Sequence, residues 1–439
     1  MSTTRTEQRA RWQNWSGGVR CTPTRIESPG STAEVVDVVT AAARDGLPVR
    51  PVGAGHSFTP LAATDGVMVR LDRMTRVLHH DPATSRVRVQ AGISLHVLNR
   101  ELAALGLALP NLGDVDPQAV AGAVGTGTHG TGARLPGIAA AVVGVQLVTA
   151  AGEVLEIGED HPWLGAAQLS LGALGILAEV TLQCVPAFLL HAREEPMALP
   201  EVLHRLPELV ARNDHVEFYW FPHTEKALLK RNNRVPDGTP AAPLGRLRHL
   251  VEDEVLSNGA FEALNRVAHA APALVPRINA LSGSVLSARE YTAPSHDVFV
   301  SPRRVRFQES EFAMPREALP DVIAGLQRLF ASGEHRVSFP IEVRFAAADD
   351  VWLSTAHGRD SCYVAVHAYH RQDPTAYFAA AQDLFTAHEG RPHWGKRHTL
   401  TAAYFAEQCP RFTDWLAVRD ELDPERRFAN DHLREVLGD

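Results

Sequence analysis

Two hydrophobic rhythms run along the 439-residue chain, and each predicts its own kind of element. Positions 32–44 (TAEVVDVVTAAAR) repeat apolar residues at helical spacing, with Ser31 or Thr32 placed to cap the first turn. Positions 95–105 (LHVLNRELAAL) do the same and stop at Gly106. Short β-type runs stand around them at 48–52, 66–71 and 87–89. Farther on, 142–149 and 154–157 predict a hairpin around Ala151-Gly152, and 174–184 another apolar strand. From about 188 longer helical segments appear, at 200–213, 261–268 and 319–330. They are mixed with strand-like runs at 216–221, 339–345 and 363–367, and 236–244 (PDGTPAAPL) predicts a surface loop. No solenoid-length repeat is visible.

This order predicts an α+β chain in more than one domain. Residues 1–187 form the first, 188–390 a second built on a sheet with helices on one face, and 391–439 a closing, motif-rich segment. The net charge of −8 argues against nucleic acid or an anionic membrane as the main partner. Cysteines at 21, 184, 362 and 409 fit neither a disulfide framework nor a zinc site, which points to thiols in a reducing compartment. The polar start (MSTTRTEQRARWQNWSGG) lacks the apolar run of a signal peptide, and no stretch has the ~20 apolar residues that cross a bilayer. The expected location is cytoplasmic, with a loose peripheral membrane contact left open.

Four motifs carry chemistry. Gly53-Ala54-Gly55-His56-Ser57 follows a strand, and its two glycines let backbone N–H groups converge on a concavity suited to pyrophosphate. A plain turn bearing a histidine fits that segment equally well. Residues 122–132 (GAVGTGTHGTG) interleave glycines with hydroxyls. Within them GTGTHG formally matches the dinucleotide fingerprint, but no strand precedes it and no helix follows, so an NAD-type Rossmann reading is rejected. Extended Gly/Thr backbone donating to a diphosphate explains the composition. Residues 391–398 (RPHWGKRH) gather cations, two histidines and a tryptophan. No carboxylate or cysteine accompanies them at ligand spacing, so no metal is expected, and a solvated basic patch is the alternative. In Ile341-Glu342-Val343-Arg344-Phe345 the two charges share one face of a strand, either as a buried pair or as one facing solvent. In 363–369, His367 and Tyr369 fall on one face.

The order of these motifs resembles the aldonolactone and alditol oxidase branch of the vanillyl-alcohol-oxidase type flavoproteins. That family runs a GxGHS loop, a THGTG loop, a cap domain with an ExR strand, then HWGK. The chain has GAGHS at 53–57, THGTG at 128–132, EVR at 342–344 and HWGK at 393–396, then Asp423-Pro424 and Phe428-Ala429-Asn430. Residues 301–316 (SPRRVRFQESEFAMPR) resemble the aldonolactone subgroup in particular.

The resemblance covers nearly the whole chain and implies a PCMH-type FAD-binding domain with a cap of antiparallel sheet covered by helices. It implies FAD bonded covalently to His56, with Gly53, Ala54, Gly55 and Ser57 on the pyrophosphate. Gly122, Thr126, Thr128, His129, Gly130 and Gly132 would lie along the second cofactor loop. Glu342, Arg344, His367 and Lys396 would line the substrate face of the flavin, with Lys396 touching cofactor as well. His367 would take the hydroxyl proton, Lys396 and Arg344 would hold the oxygen, and Glu342 would orient Arg344 or accept a substrate hydroxyl. Asp114 and Tyr369 would touch substrate, and they stand where alditol oxidases have Ser and Thr, which weakens a linear polyol as substrate. Gly113 matches a gatekeeper position where glycine tends to accompany oxygen reactivity. The implied reaction is hydride transfer from a sugar-derived carbinol, most simply C2 of an aldono-1,4-lactone, to flavin N5. Its product tautomerises to an ascorbate-like enediol, and electrons pass to O2 or another acceptor. An alditol or other sugar primary alcohol is the alternative substrate, and a non-catalytic flavin-binding module the alternative of another class.

Overall fold

The computed structural model describes residues 10–245, 259–301 and 303–439. The polar start at 1–9 lies outside the described residues. A three-stranded parallel sheet opens the first domain, in the order β1 (Arg25–Glu27), β3 (Val67–Arg70), β2 (Val49–Val52). Helix α1 (Thr32–Arg44) begins where the sequence places it, because the Ser31 side chain accepts the Glu34 amide. Five antiparallel strands follow: β4 (Val77–Asp81), β5 (Arg86–Gln90), β6 (Val142–Val148), β7 (Val154–Gly158) and β8 (Ile176–Gln183), in the order β7-β6-β8-β5-β4. Helix α2 (Leu95–Ala104) buries Leu95, Leu98 and Leu102 and ends before Gly106, whose φ of +73° suits glycine.

One expectation fails here. The glycine-rich 122–132 segment is not extended throughout, because 120–126 forms a short helix, α3 (Val120–Thr126). Val120, Ala123 and Val124 bury one side of it, Thr126 Oγ1 donates to the Gly122 carbonyl, and Gly127 ends it in the left-handed region. Small residues outweighed low helix propensity because the turn packs into the core.

The second domain is an eight-stranded antiparallel sheet: β9 (Leu189–Ala198), β10 (His215–Trp220), β11 (Lys226–Arg234), β12 (Arg289–Pro294), β13 (Phe307–Pro315), β14 (Ile341–Ala346), β15 (Ser361–Tyr369) and β16 (Arg391–Pro392). Their order is β12-β9-β11-β10-β14-β15-β13-β16. Helices α4 (Leu199–Arg212), α5 (Leu319–Ala331) and α6 (Thr375–Thr386) cover one face. Phe218, Trp220, Phe312, Val343, Phe345, Val364 and Val366 point into that layer. The alternation of the strands then turns Glu217, Tyr219, Glu309, Glu311, Glu342, Arg344 and His367 to the opposite face, toward the first domain.

The chain returns at its end. Trp394, Phe405, Phe412, Trp415, Phe428 and Leu433 join the core of the first domain. The four cysteines are unpaired. Among the described residues no helix is long and apolar enough to cross a membrane.

Candidate active site

Two cavities meet between the domains. The first, of about 270 Å³, runs beside the 53–57 loop and α3. The second, of about 580 Å³, opens against the bare face of the cap sheet. They share His56, Ser57, Pro117, Gln118 and Thr126, so they form one trough.

The narrower part is a cradle of small residues. Gly55 has φ +71°, and a Cβ there would stand 3.1 Å from the Trp12 ring. A Cβ on Gly53 would stand 3.2 Å from Ala119 Cβ. Among the described residues the amides of 54–57 find no protein acceptor, so these donors stay open to a bound anion. The close backbone, open donors and length of trough fit an extended dinucleotide such as FAD.

The wider part is built by registry. Tyr219 faces Glu342 across β10 and β14, Ala365 lies between Glu342 and Glu311, and Glu309 faces His367 across β13 and β15. Arg344 ties three carboxylates together: Nε donates to Glu217 (2.9 Å), one terminal nitrogen pairs with Glu342, and Asp114 lies 3.5 Å away. The Tyr219 hydroxyl donates to Glu342 (2.9 Å). From the rim, Arg303 grips Asp114 with two nitrogens at 2.5 and 2.8 Å. Lys396 pairs with Glu309 and lies 3.9 Å from Glu311. The loop that carries Lys396 is fastened to the 53–57 loop, since the Phe58 amide donates to Gly395 (2.7 Å) and the Thr59 hydroxyl to Trp394 (3.0 Å).

Burial shifts these groups in opposite directions. It raises Asp114, but Arg303 and Arg344 outweigh it and hold the carboxyl well below its usual range. Glu309 is also raised by burial and pulled down harder by Lys396 and His367, to about 2. Burial lowers Lys396, yet Glu309 and Glu311 keep it above its usual value and charged. Glu342 differs: burial pushes its carboxyl up more than Arg344 pulls it down, with Asp114 adding to the rise. Burial, aided by Lys396, lowers His56 to about 4, which leaves its ring neutral at ordinary pH. His367 donates Nδ1 to the Pro340 carbonyl (3.1 Å), which turns Nε2 to the cavity side, 3.6 Å from Glu309 and 3.9 Å from Glu342.

Most residues singled out from the sequence meet here. Gly53, Ala54, Gly55, His56, Ser57, Gly122 and Thr126 line the narrow part. Gly113, Asp114, Thr128, His129, Glu342, Arg344, His367 and Lys396 line the wide part.

Three do not line the trough. Tyr369 shares its face with His367 but lies beyond it, packed with Val305 and Phe339, and its hydroxyl donates to Glu262 (2.7 Å). Gly130 and Gly132 lie outside the lining of both cavities, at points of close backbone approach. A Cβ on Gly130 would fall 2.2 Å from the Leu112 carbonyl. The Gly132 amide donates to the Phe345 carbonyl (2.7 Å), which docks the loop on β14.

No carboxylate stands at ligand spacing beside the 391–398 histidines in sequence, but folding brings one in. Glu311 on β13 and His129 come within 4.8 Å of His393. His393 Nδ1 accepts the Gly395 amide (3.0 Å), which leaves its own proton on Nε2. His129 Nδ1 faces the Gly130 carbonyl (2.9 Å), and its Nε2 stands 3.3 Å from Glu311. Backbone groups thus engage Nδ1 of both histidines, and Glu311 stands beside Nε2 of His129.

Glu309, Glu311, Arg303, Glu217 and Tyr219 were missed as site residues. The signal for the first two was present in Phe307-Gln308-Glu309-Ser310-Glu311-Phe312, where two acids stand at i and i+2 of a strand that runs on into Phe312-Ala313-Met314.

Fold and site together define a two-domain FAD-binding oxidoreductase of the vanillyl-alcohol-oxidase type. Residues 23–158 match the FAD binding domain family and residues 180–436 the D-arabinono-1,4-lactone oxidase family. The chain belongs to the D-arabinono-1,4-lactone oxidase family. It is 44% identical to L-gulono-1,4-lactone dehydrogenase of Mycobacterium tuberculosis, over 97% of this chain and 99% of that one. It is 34% identical to L-gulonolactone oxidase of Bos taurus and 32% identical to alditol oxidase of a Streptomyces species, each over 97% of this chain and 98% of the relative. The crystal structure of cholesterol oxidase from B. sterolicum has the same fold, with TM-score 0.83 at 18% identity over 100% of this chain and 99% of that one.

Proposed function

We propose that this chain oxidises a carbon–hydroxyl group of an aldono-1,4-lactone, using FAD bonded to His56. The observation that carries the reading is the wall formed by His367, Arg344 and Lys396, fixed by Glu309, Glu311 and Glu342 beside the 53–57 loop. Bound FAD supplies the hydride acceptor. Lys396 and Arg344 hold the substrate oxygen and stabilise negative charge developing on it. His367 Nε2 takes the hydroxyl proton, since Nδ1 is engaged by the Pro340 carbonyl and the ring lines the cavity. Glu342 keeps Arg344 in plane and offers an acceptor to a second substrate hydroxyl.

The lactone reading draws support from the relatives named L-gulono-1,4-lactone dehydrogenase and L-gulonolactone oxidase. Of the two departures from the alditol pattern, Asp114 stands in the cavity and still counts, whereas Tyr369 stands outside and loses its weight. An anaerobic panel of 1,4-lactones and alditols, followed by bleaching of the flavin absorbance, tests the substrate. Bleaching by lactones is expected. Bleaching by alditols alone overturns the lactone reading. Repeating the panel with O2 and with an artificial acceptor identifies the route of the electrons.

A further inference from the structure

The N-terminal segment Trp12-Gln13-Asn14-Trp15 is not used by the chemistry above, yet it is built around the 53–57 loop. Trp12–Gln13 pairs with Arg20–Cys21, and the turn between them is closed by the Asn14 amide on the Val19 carbonyl (3.1 Å) and the Val19 amide on Asn14 Oδ1 (3.0 Å). Asn14 is buried, and its Nδ2 donates to the Ser57 carbonyl (2.9 Å). The Trp15 amide donates to the Gly55 carbonyl (2.8 Å). Both bonds bracket His56. The Trp15 ring lies over the His56 ring, with centroids 5.5 Å apart and planes 23° apart. Phe58 and Phe307 hold the Trp15 ring in turn, edge-on at 6.3 and 5.3 Å. Among the described residues no hydrogen bond fixes either nitrogen of His56, so this stack sets the plane of the imidazole.

We infer that Trp15, with Asn14, is the positioning device that aims the His56 imidazole at the flavin for covalent attachment. The inference rests on the covalent reading above. Attachment replaces one C–H bond of the flavin 8α-methyl group and the imidazole N–H bond with a C–N bond. The two electrons released reduce the flavin, and dioxygen takes them back. The nucleophile is a neutral imidazole nitrogen whose lone pair must lie along the new bond. An unbonded ring free to rotate loses that alignment, and a stacked tryptophan restores it without occupying either nitrogen.

The test uses purified full-length protein with Trp15→Leu, which keeps apolar bulk but no flat ring, Trp15→Phe, which keeps a ring, and Asn14→Ala. Two quantities are read: total flavin bound under native conditions, and the fraction that stays with acid-precipitated protein. Wild type and Trp15→Phe should retain their flavin. Trp15→Leu should bind a similar total but retain at least about tenfold less. Asn14→Ala should move the same way by a smaller factor, and it decides the matter if Trp15→Leu does not fold. Wild-type retention in Trp15→Leu overturns the positioning role while leaving the covalent link intact. So does loss of total flavin in step with the retained fraction, because the residue then serves binding alone. Release of all flavin from wild type removes the covalent reading itself, and the positioning role with it.

Discussion

Glu309 and His367 are direct cross-strand partners on β13 and β15, with Glu309 Oε1 3.6 Å from His367 Nε2. Glu309 also carries Lys396, so one carboxylate sets both the proton acceptor and the cation that face the substrate. Glu309→Gln should lower kcat/KM by about 10²-fold, comparable to removing one preorganised electrostatic partner. The same group gives a pH signature. Its carboxyl falls from 4.5 to about 2 on folding, so the folded chain binds fewer protons than the unfolded one between those values. Its contribution to stability is full above 4.5 and is lost as pH falls toward 2. The difference in Tm between wild type and Glu309→Gln should shrink across that window in thermal melts. A difference that grows toward acid contradicts this account.

Arg344 meets Glu217, Glu342 and Asp114 with one planar fork. Lysine offers a single point charge and cannot span three carboxylates. Arg344→Lys should slow anaerobic reduction of the flavin by about 10²-fold, because transition-state charge loses a fixed donor. Stopped-flow rates within twofold of wild type would show that the fork is dispensable.

Gly130→Ala should destabilise the protein by about 3 kcal/mol, the upper end of overpacking costs. The added carbon would fall 2.2 Å from the Leu112 carbonyl and 2.4 Å from Asn111 Oδ1. The first atom is backbone, and the second belongs to buried Asn111, whose Oδ1 accepts the Leu112 amide (3.0 Å), so neither steps aside cheaply. Denaturant melts measure the loss, and an unchanged midpoint would mean that the loop yields freely.

Gly113→Ala tests the gatekeeper expectation. A Cβ there would stand 3.1 Å from the His129 carbonyl and 3.2 Å from Thr128 Cγ2, so it fits only if its neighbours give by a few tenths of an ångström. It would occupy space at the wall of the wide cavity. Reoxidation of substrate-reduced enzyme by O2 should slow by about tenfold, or about 1.4 kcal/mol, while electron transfer to an artificial acceptor changes less. Equal slowing with both acceptors would assign Gly113 to substrate handling.

Local pattern carried far in this chain. Helix 32–44 was legible because a capping serine and a 3.6-residue apolar rhythm agree, and both are local. The pairing of Glu342 with Arg344 was legible because alternation along a strand leaves no choice of face. Helix α3 was not, because its apolar positions Val120, Ala123 and Val124 span little more than one turn between glycines, and burial of that turn decided the matter.

The sequence by itself determined the order of the glycine loop, the charged strand and the lysine loop, and that order carries the family resemblance where each run alone left a plainer reading open. Only the tertiary structure decided who shares a wall. It brought Glu309 and Glu311 to Lys396 across about 85 residues, set Asp114 between Arg303 and Arg344, laid Trp15 on His56, and left Tyr369 outside. The physical reason is registry. A strand's period fixes which face a side chain takes, but which residue stands opposite is set by strand pairing and by the docking of two domains, and neither is written locally.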